Sequence, residues 1–377
     1  MKRRVLYLTG SRADFGLMLG TLQRAATHPM LDVGICMTGM HLSEMFGRTA
    51  TEVETSGLRI VGEVVVDIER GDGASMARCI AQTLDGLIDV LSGFRPDILL
   101  LLGDRGEMLA GAIAALHLNI HVVHVHGGER SGTVDEPIRH AISKLSHFHF
   151  VATVDAKDRL VRMGEAETSI FITGAPGLDG LIDLADVDRD ELCRATRVDP
   201  AKPVALVLFH PVVQEAELAD THVRNLISTV LDLGLQAVCL LPNSDAGSKG
   251  IRQAMLEWTD APGVRIVTHL PRRQFASWLR AADVLVGNSS SGIIEAATFG
   301  IPVVNVGSRQ KGRVRSGNVI DCGTDRIELR AAVAAAVERG HVAVTNVYGD
   351  GLAGERIVSL LAGLSLDQLL LMKTNAY

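Results

Sequence analysis

Short apolar runs alternate with longer mixed segments along the whole chain. The runs have the length of buried parallel strands, and the segments between them are long enough for crossover helices. The predicted strands span residues 5–9, 33–38, 98–102, 121–126, 149–153 and 170–173 in the first half and 204–209, 237–241, 264–267, 284–286 and 303–306 in the second. This order predicts an α/β protein built on doubly wound parallel sheets.

The alternation is interrupted near the middle of the chain. Between Pro176 and Pro203 a proline-glycine stretch is followed by a charged segment, a composition typical of a boundary. We therefore expect two Rossmann-like domains facing a cleft, one spanning residues 1–185 and the other 186–377. An apolar helical pattern after Gly354 predicts a last helix that packs back on the N-terminal domain.

Composition narrows the class of protein. The net charge of −7 argues against a nucleic-acid partner, and no apolar segment approaches the ~20 residues that a membrane helix needs. The first apolar run is too short for a signal peptide. Five cysteines without CxxC pairs or metal-ligand spacing are typical of reduced thiols. We expect a cytoplasmic protein with neither a nucleic-acid nor a membrane partner.

The segment 283–307 has the order strand, small polar turn, short helix and second strand. Ser289 and Ser290 are suited to cap the helix, and Gly292 lets a ligand approach the backbone. Main-chain N–H groups at such a turn favour a diphosphate. Glu295 follows about one turn later, where its carboxylate could accept from ribose hydroxyls. The alternative is that the serines only cap the helix and Glu295 is solvated.

Other polar residues follow the ends of predicted strands, where open α/β sheets bind ligands. Asp104 beside Arg105 could act as an acid or base next to a phosphate clamp, or form a local ion pair. His124 and His126 could bind a metal, but no third ligand is evident and no metal site is predicted. A histidine that donates or carries a proton in the cleft is the preferred interpretation.

Two further segments concentrate charge. After two glycines, many titratable groups follow one another in a loop and the start of a helix, and Glu129 and Asp135 are candidate catalytic carboxylates there. Alternatively, carboxylates at the helix start serve simply to balance the helix dipole. A basic loop begins at Arg309. It could be a solvated patch, or Arg309 and Arg313 could neutralise a departing nucleotide, with Arg12 acting from the other domain.

These motifs together resemble the hydrolysing UDP-N-acetylglucosamine 2-epimerases of the bacterial sialic- and legionaminic-acid type. The resemblance covers almost the whole chain. It rests on GSRADFG at 10–16, LLGDRGE at 101–107, HVHGGERSGTVDEPIRHAISKLSH at 124–147, HP at 210–211, LPNSDAGSKG at 241–250 and GNSSSGIIEAATFGIPVVNVGSRQKGR at 287–313.

The resemblance implies a glycosyltransferase-B-like fold, a homodimer or dimer of dimers, and a nucleotide-sugar substrate held mainly by the second domain. No metal or cofactor is expected, since elimination of the nucleotide and rehydration require neither. It implies catalytic roles for Asp104 and Asp135. The implied substrate contacts are Arg12, Arg105, His210, Asn243, Ser289, Ser290, Glu295 and Arg309. Backbone groups near Leu270 are expected to contact the base.

Two positions bear on the branch of the family. The sialic-acid enzymes place a glutamate where this chain has His126, and HVHGGE is more similar to relatives acting on diacetylbacillosamine nucleotides. The non-hydrolysing 2-epimerases typically carry a lysine where this chain has Leu17, which favours the hydrolysing branch.

The expected reaction eliminates UDP from UDP-N-acetylglucosamine, with Asp104, Asp135 or His126 removing the C2 proton, and rehydrates the glycal to free N-acetylmannosamine. The alternatives are the same reaction on UDP- or GDP-linked diacetylbacillosamine, a non-hydrolysing epimerase, a glycosyltransferase and a nucleotide-sugar sensor.

Overall fold

A computed structural model describes residues 2–44, 49–68, 72–131, 135–242 and 247–377. The chain forms two α/β units. Unit 1 is built from the described part of Met1–Glu129, Val134–Asp179 and Tyr348–Tyr377, and unit 2 is built mainly from Gly180–Val347. The C-terminal segment therefore belongs with the first unit.

Unit 1 contains a seven-stranded parallel sheet in the order β3-β2-β1-β4-β5-β6-β7. The strands are β1 Arg3–Thr9, β2 Leu31–Thr38, β3 Ile60–Val64, β4 Ile98–Leu102, β5 His121–Val125, β6 Phe148–Val151 and β7 Ile170–Ile172. The α-helices are α1 Arg12–Thr27, α2 Ala50–Glu54, α3 Gly73–Phe94, α4 Gly106–His117, α5 Asp135–Leu145, α6 Val154–Arg162 and, near the C-terminus, α14 Ala353–Gly363.

Unit 2 contains a six-stranded parallel sheet in the order β10-β9-β8-β11-β12-β13. The strands are β8 Val204–Leu208, β9 Gln236–Leu240, β10 Val264–Val267, β11 Val284–Gly287, β12 Val303–Val306 and β13 Val319–Cys322. The α-helices are α7 Leu181–Leu184, α8 Arg189–Thr196, α9 Ala219–Asp232, α10 Ser248–Leu256, α11 Arg272–Ala281, α12 Ser290–Ile294 and α13 Arg326–Arg339. The predicted fold class, two Rossmann-like doubly wound domains, is confirmed.

Two strands were not predicted, and in this the sequence interpretation was wrong. Strands β3 and β13 each form one edge of their sheet and are only partly buried. Glu63 and Asp321 interrupt their short apolar runs. Both strands therefore lack the continuous apolar pattern by which the buried strands were recognised, whereas the edge strand β7, Ile170–Ile172, is wholly apolar and was predicted.

Helix α14 shares the core of unit 1 with α1. Ile357 and Leu361 are fully buried in the cluster that contains Met18 and Leu22 of α1. Arg3, at the start of β1, donates hydrogen bonds to the carbonyl oxygens of Leu361 at 2.5 Å and Leu364 at 2.6 Å. An arginine thus satisfies carbonyls at the end of α14, as cations near helix C-termini do.

A buried histidine of β5 orders the loop that follows β4. His124 Nε2 lies 2.7 Å from the carbonyl oxygen of Gly103, and Nδ1 lies 3.1 Å from Ser143 Oγ on α5. Because a carbonyl only accepts, Nε2 carries the hydrogen and Nδ1 accepts from the serine. Burial lowers the pKa of His124 to about 3. This histidine is a neutral structural residue, and both of its nitrogens have protein partners.

The depressed pKa of His124 makes stability depend on pH. Below its ordinary pKa of about 6.5 an unfolded histidine binds a proton, whereas His124 in the folded protein stays neutral down to about pH 3. The free energy of unfolding should therefore fall as pH falls from 6.5 to 4, by up to about 1.4 kcal/mol per pH unit from this residue. His124→Gln keeps a donor for Gly103 and removes the titration, so its pH profile should be shallower.

The measurement is urea unfolding at a series of pH values, followed by circular dichroism. Tryptophan fluorescence would report on unit 2 alone, because Trp258 and Trp278 both lie there. Substitution of the exposed His117 by Gln controls for the loss of a histidine as such. Parallel pH profiles for the wild-type protein and His124→Gln would contradict the assignment.

Candidate active site

The candidate residues of the first half of the chain meet at one edge of the unit 1 sheet. Arg12 follows β1, Asp104 and Arg105 follow β4, and His126 follows β5, while β1, β4 and β5 are adjacent strands. The strand order reverses between β1 and β4. In open α/β sheets, ligands bind at the carboxyl ends of strands beside such a reversal.

A sharp turn after β5 pairs a histidine with a carboxylate. The backbone is left-handed at His126 (φ 65°) and at Gly128 (φ 75°), and a Cβ on Gly128 would lie 2.4 Å from the carbonyl oxygen of Ala156, so only glycine fits there. The turn brings Glu129 Oε1 to 2.5 Å from His126 Nδ1, and both residues are buried. If Nδ1 donates to Glu129, Nε2 is the nitrogen that accepts a proton.

A buried arginine of α5 joins the loops that follow β4 and β5. Arg139 is 1% exposed; its guanidinium forms an ion pair with Asp104, and its Nη1 donates to the carbonyl oxygen of Glu129 at 3.0 Å. One side chain therefore joins the Asp104 carboxylate to the main chain at Glu129. Arg139 lies in the crowded segment of titratable groups recognised in the sequence, but it was not singled out there. Its spacing of four residues from Asp135 on one helix face was the available signal.

The remaining unit 1 candidates lie at helix starts. Asp135 is the first residue of α5, and Arg12 is the first residue of α1. Arg105 precedes α4, with its Nε 3.4 Å from Oε2 of the buried Glu107. Glu107 is a second residue that sequence reasoning missed. An acidic residue in the first turn of a helix is ordinarily explained by the helix dipole, and only its burial distinguishes it.

The candidates of the second half lie at the carboxyl edge of the unit 2 sheet. His210 follows β8, Ser289 follows β11 and Arg309 follows β12. The buried side chain of Asn288 links two of these loops, because its Oδ1 accepts from His210 N at 2.7 Å and its Nδ2 donates to His210 O at 2.9 Å. Arg309 Nη1 donates to the carbonyl oxygen of Asn288 at 3.2 Å. Asn288 had not been singled out from the sequence.

The serine turn is a short capped helix. Gly287 ends β11 with φ 149°, and a Cβ there would lie 2.0 Å from the carbonyl oxygen of Leu208. Ser289 is the N-cap of α12, and its Oγ accepts from Ser291 N at 3.4 Å. Ser290 is the first residue of this five-residue helix. The capping role considered from the sequence is thus present for Ser289.

Glu295 is buried and forms an ion pair with Arg272, the first residue of α11. It is not the solvated carboxylate of the alternative interpretation. Arg272 was missed, although a cation at the start of a helix opposes the helix dipole and so calls for a partner. Leu270 is buried in the core, so its side chain contributes to packing.

The other predicted contacts of unit 2 fall in two loops. Arg313 belongs to the basic loop, where its carbonyl oxygen accepts from Arg315 Nη1 at 2.8 Å. Asn243 lies outside the described residues. On each unit, the described candidates lie in segments that follow strands of one parallel sheet.

Within the ranges that the structure describes, no group of three histidine, cysteine, aspartate or glutamate side chains is arranged to hold a metal ion. In the same part of the chain, no helix combines the length and apolar character needed to cross a membrane.

Comparisons with known proteins identify the family of this chain. Residues 23–362 match the family described as UDP-N-acetylglucosamine 2-epimerase. The chain is 48% identical to a Legionella pneumophila protein named UDP-N,N'-diacetylbacillosamine 2-epimerase (hydrolyzing), over the whole of both chains. It is 32% identical to the UDP-N-acetylglucosamine 2-epimerase of Neisseria meningitidis, over 93% of this chain and 91% of the relative.

Solved structures share the fold. A crystal structure of UDP-GlcNAc 2-epimerase from Neisseria meningitidis bound to UDP-GlcNAc has a TM-score of 0.81 at 19% identity, covering 95% of this chain and 99% of the other. The structure of Staphylococcus aureus MnaA with UDP has a TM-score of 0.79 at 18% identity, covering 95% and 96%. The predicted glycosyltransferase-B-like architecture is confirmed. On the family match and the full-length relative together, the chain belongs to the UDP-N-acetylglucosamine 2-epimerase family.

Proposed function

We propose that the protein is a hydrolysing nucleotide-sugar 2-epimerase, which releases a nucleoside diphosphate and a free sugar inverted at C2. The observation that carries the proposal is the unit 1 cluster in which Arg139 joins Asp104 to the loop of the His126–Glu129 pair. Such a cluster supplies groups that move protons beside a fixed cation, and this is the chemistry that epimerisation at C2 requires.

The proposed reaction has two stages. Hydrogen on C2 leaves as a proton while the bond between C1 and the diphosphate oxygen breaks, which forms a glycal and releases the nucleotide. A proton then adds to C2 from the opposite face and a water oxygen adds to C1, with the second proton of that water going to a base. The sum is hydrolysis with inversion at C2, and acid–base chemistry suffices for both stages.

We assign removal of the C2 proton to His126. Glu129 holds Nδ1, so Nε2 is directed to accept, and the carboxylate stabilises the imidazolium that forms. Asp135, on the same face of α5 as Arg139, is the proposed donor to the other face of C2. Asp104, held by Arg139, is the proposed base that activates water. These roles extend the sequence prediction, which left them open.

The nucleotide is assigned to the unit 2 cluster. The main-chain N–H groups of the turn at Ser289 and Ser290, together with the Arg309 guanidinium, favour a diphosphate. Glu295, oriented by Arg272, is the proposed acceptor for the ribose hydroxyls. The other proposed contacts are Arg12, Arg105, His210, Asn243, Arg313 and backbone groups near Leu270. Assembly as a homodimer or dimer of dimers and a cytoplasmic location stay predictions.

The favoured substrate is UDP-N,N'-diacetylbacillosamine. The full-length relative at 48% identity carries that substrate in its name, and a Campylobacter jejuni relative at 30% identity is named for the GDP- or UDP-linked form. His126, in the HVHGGE segment, supports the same choice. UDP-N-acetylglucosamine, the first expectation from the sequence, is the second candidate and is supported by the Neisseria meningitidis relative at 32% identity.

The reaction is tested by incubating purified protein in deuterated water with UDP-diacetylbacillosamine, the GDP-linked form or UDP-N-acetylglucosamine and following products by proton NMR. We expect free sugar of manno configuration carrying deuterium at C2, formed fastest from UDP-diacetylbacillosamine. Epimerised sugar still attached to the nucleotide would indicate a non-hydrolysing epimerase. Binding without turnover would indicate a sensor, and reaction only after addition of an acceptor would indicate a glycosyltransferase.

The acid–base assignment is tested by Asp104→Asn and Glu129→Gln. Each substitution keeps the shape of the side chain and removes its charge. For Asp104→Asn, kcat should fall by about 10²- to 10⁴-fold, because a proton-transfer group is lost. Glu129→Gln should lower kcat with little change in KM, because Glu129 orients His126 rather than binding substrate. Nucleotide release is the measurement, and Glu167→Gln, at an exposed carboxylate, is the control. Near-normal turnover in both variants would remove these carboxylates from the mechanism.

A further inference from the structure

The last residues of the chain, from Asp367 to Tyr377 (the C-terminal tail), lie against unit 1. His121 Nε2 lies 3.2 Å from the carbonyl oxygen of Asp367, and the main-chain N of Ala376 donates to Gly164 O at 2.9 Å. The tail buries little apolar surface: Leu369 is 68% exposed, and Met372 and Tyr377 are also exposed. Polar contacts rather than hydrophobic burial therefore hold it in place.

Lys373 makes the most extensive of these contacts. Its Nζ lies 2.9 Å from Ser143 O, 2.6 Å from Ser146 O and 2.5 Å from Glu165 Oε2. An ammonium group has three N–H donors, so all three are used. The two carbonyl oxygens belong to the last turn of α5 and the residue that follows it. The lysine thus acts as a cationic cap at the negative end of that helix.

The Glu165 carboxylate beside Lys373 is buried and stays ionised. Glu165 is 1% exposed in its side chain and also contacts His149 Nε2 at 3.0 Å and Lys144 Nζ at 2.8 Å. Burial alone would raise the pKa of Glu165, but hydrogen bonds from His149, Lys144 and Lys373 outweigh it and lower the pKa to about 2. Glu165 is therefore ionised throughout the physiological range, whereas burial lowers the pKa of Lys373 and the hydrogen bond to Glu165 opposes that shift.

Helix α5 connects the Lys373 contacts to the candidate active site. Its first turns carry Asp135 and Arg139, and Arg139 contacts Asp104. Near its other end, Ser143 accepts from Lys373 through its carbonyl oxygen and contacts His124 through its hydroxyl. His124 in turn holds the loop that presents Asp104. A shift of α5 along its axis would displace these groups together.

We propose that Lys373 is a positioning residue, by which the C-terminal tail holds α5 so that Asp135 and Arg139 sit in register with Asp104. The proposal rests on the proposed function for its effect on turnover. Its structural part, that the tail holds α5, stands independently of the reaction. Misplacement of a reacting group by about 1 Å can cost on the order of 10²-fold in rate, so a small movement of the helix is sufficient.

The test is Lys373→Met in the full-length chain, with two readouts. Hydrogen exchange followed by mass spectrometry should show faster exchange in peptides covering 135–145 and no change in unit 2. Turnover of UDP-diacetylbacillosamine should show kcat reduced by about 10- to 100-fold with KM near the wild-type value, because orientation is lost rather than substrate binding. Lys373→Arg, which keeps the charge and the donors, should recover most of the exchange protection.

Lys144→Met is the matched control. Lys144 also contacts Glu165 and donates to Met163 O at 3.2 Å and to Asn375 Oδ1 of the tail at 2.8 Å, but it lies on α5 itself. Its loss removes an equal charge beside Glu165 and leaves the Lys373 contacts with the carbonyl oxygens of Ser143 and Ser146 in place. Exchange and kcat in this variant should stay close to the wild-type values. Equal effects in Lys144→Met and Lys373→Met would overturn the proposal, since neutralisation of Glu165 would then explain both.

Unchanged exchange in α5 together with unchanged kcat in Lys373→Met would also overturn it. Suppose that the wild-type protein turned over none of the candidate substrates while hydrogen exchange in α5 became faster in Lys373→Met. The proposed function would then fail, and the structural part of the proposal, that the tail holds α5, would stand. If Lys373→Met did not fold, the comparison would move to Lys373→Arg. Exchange protection and turnover at wild-type levels in Lys373→Arg would support a positioning role for the cation. Loss of both exchange protection and turnover in that variant would contradict this role.

Discussion

The contact on which the candidate active site depends is the ion pair between Arg139 and Asp104. A guanidinium that is almost wholly buried is stable only when its donors are satisfied, and those of Arg139 reach a carboxylate after β4 and a carbonyl oxygen after β5. The loops after two adjacent strands are thereby fixed to one helix. Loss of the arginine would leave a carboxylate without its partner and two loops without their common support.

The scaffold around this contact was largely predictable, and its exceptions have a common cause. A strand buried on both faces, such as β4, carries a continuous apolar run and was recognised at its observed bounds. Strands β3 and β13 have one neighbour each and are only partly buried, and an acidic residue breaks the short apolar run of each. The residues after each strand were also predictable, because parallel strands deliver their carboxyl ends to one edge.

Partnerships within the site were not predictable in the same way. Asp104 pairs with a residue 35 positions later, and Glu295 pairs with Arg272, which precedes it on another helix. Such pairs depend on how helices pack on the sheet, and no local spacing encodes that packing. The segment from Glu129 to His140 indicated that charges would meet, but only the structure distinguishes the buried Arg139 from its more exposed neighbours.

The left-handed backbone at His126 links side-chain identity to loop shape. Histidine is among the few residues other than glycine that are enriched in this conformation, whereas most side chains are strained there by about 1 kcal/mol or more. Replacement by glutamate would impose that strain and also set two carboxylates side by side at Glu129. A change of residue at this position therefore has to involve the path of the main chain as well as the chemistry of one side chain.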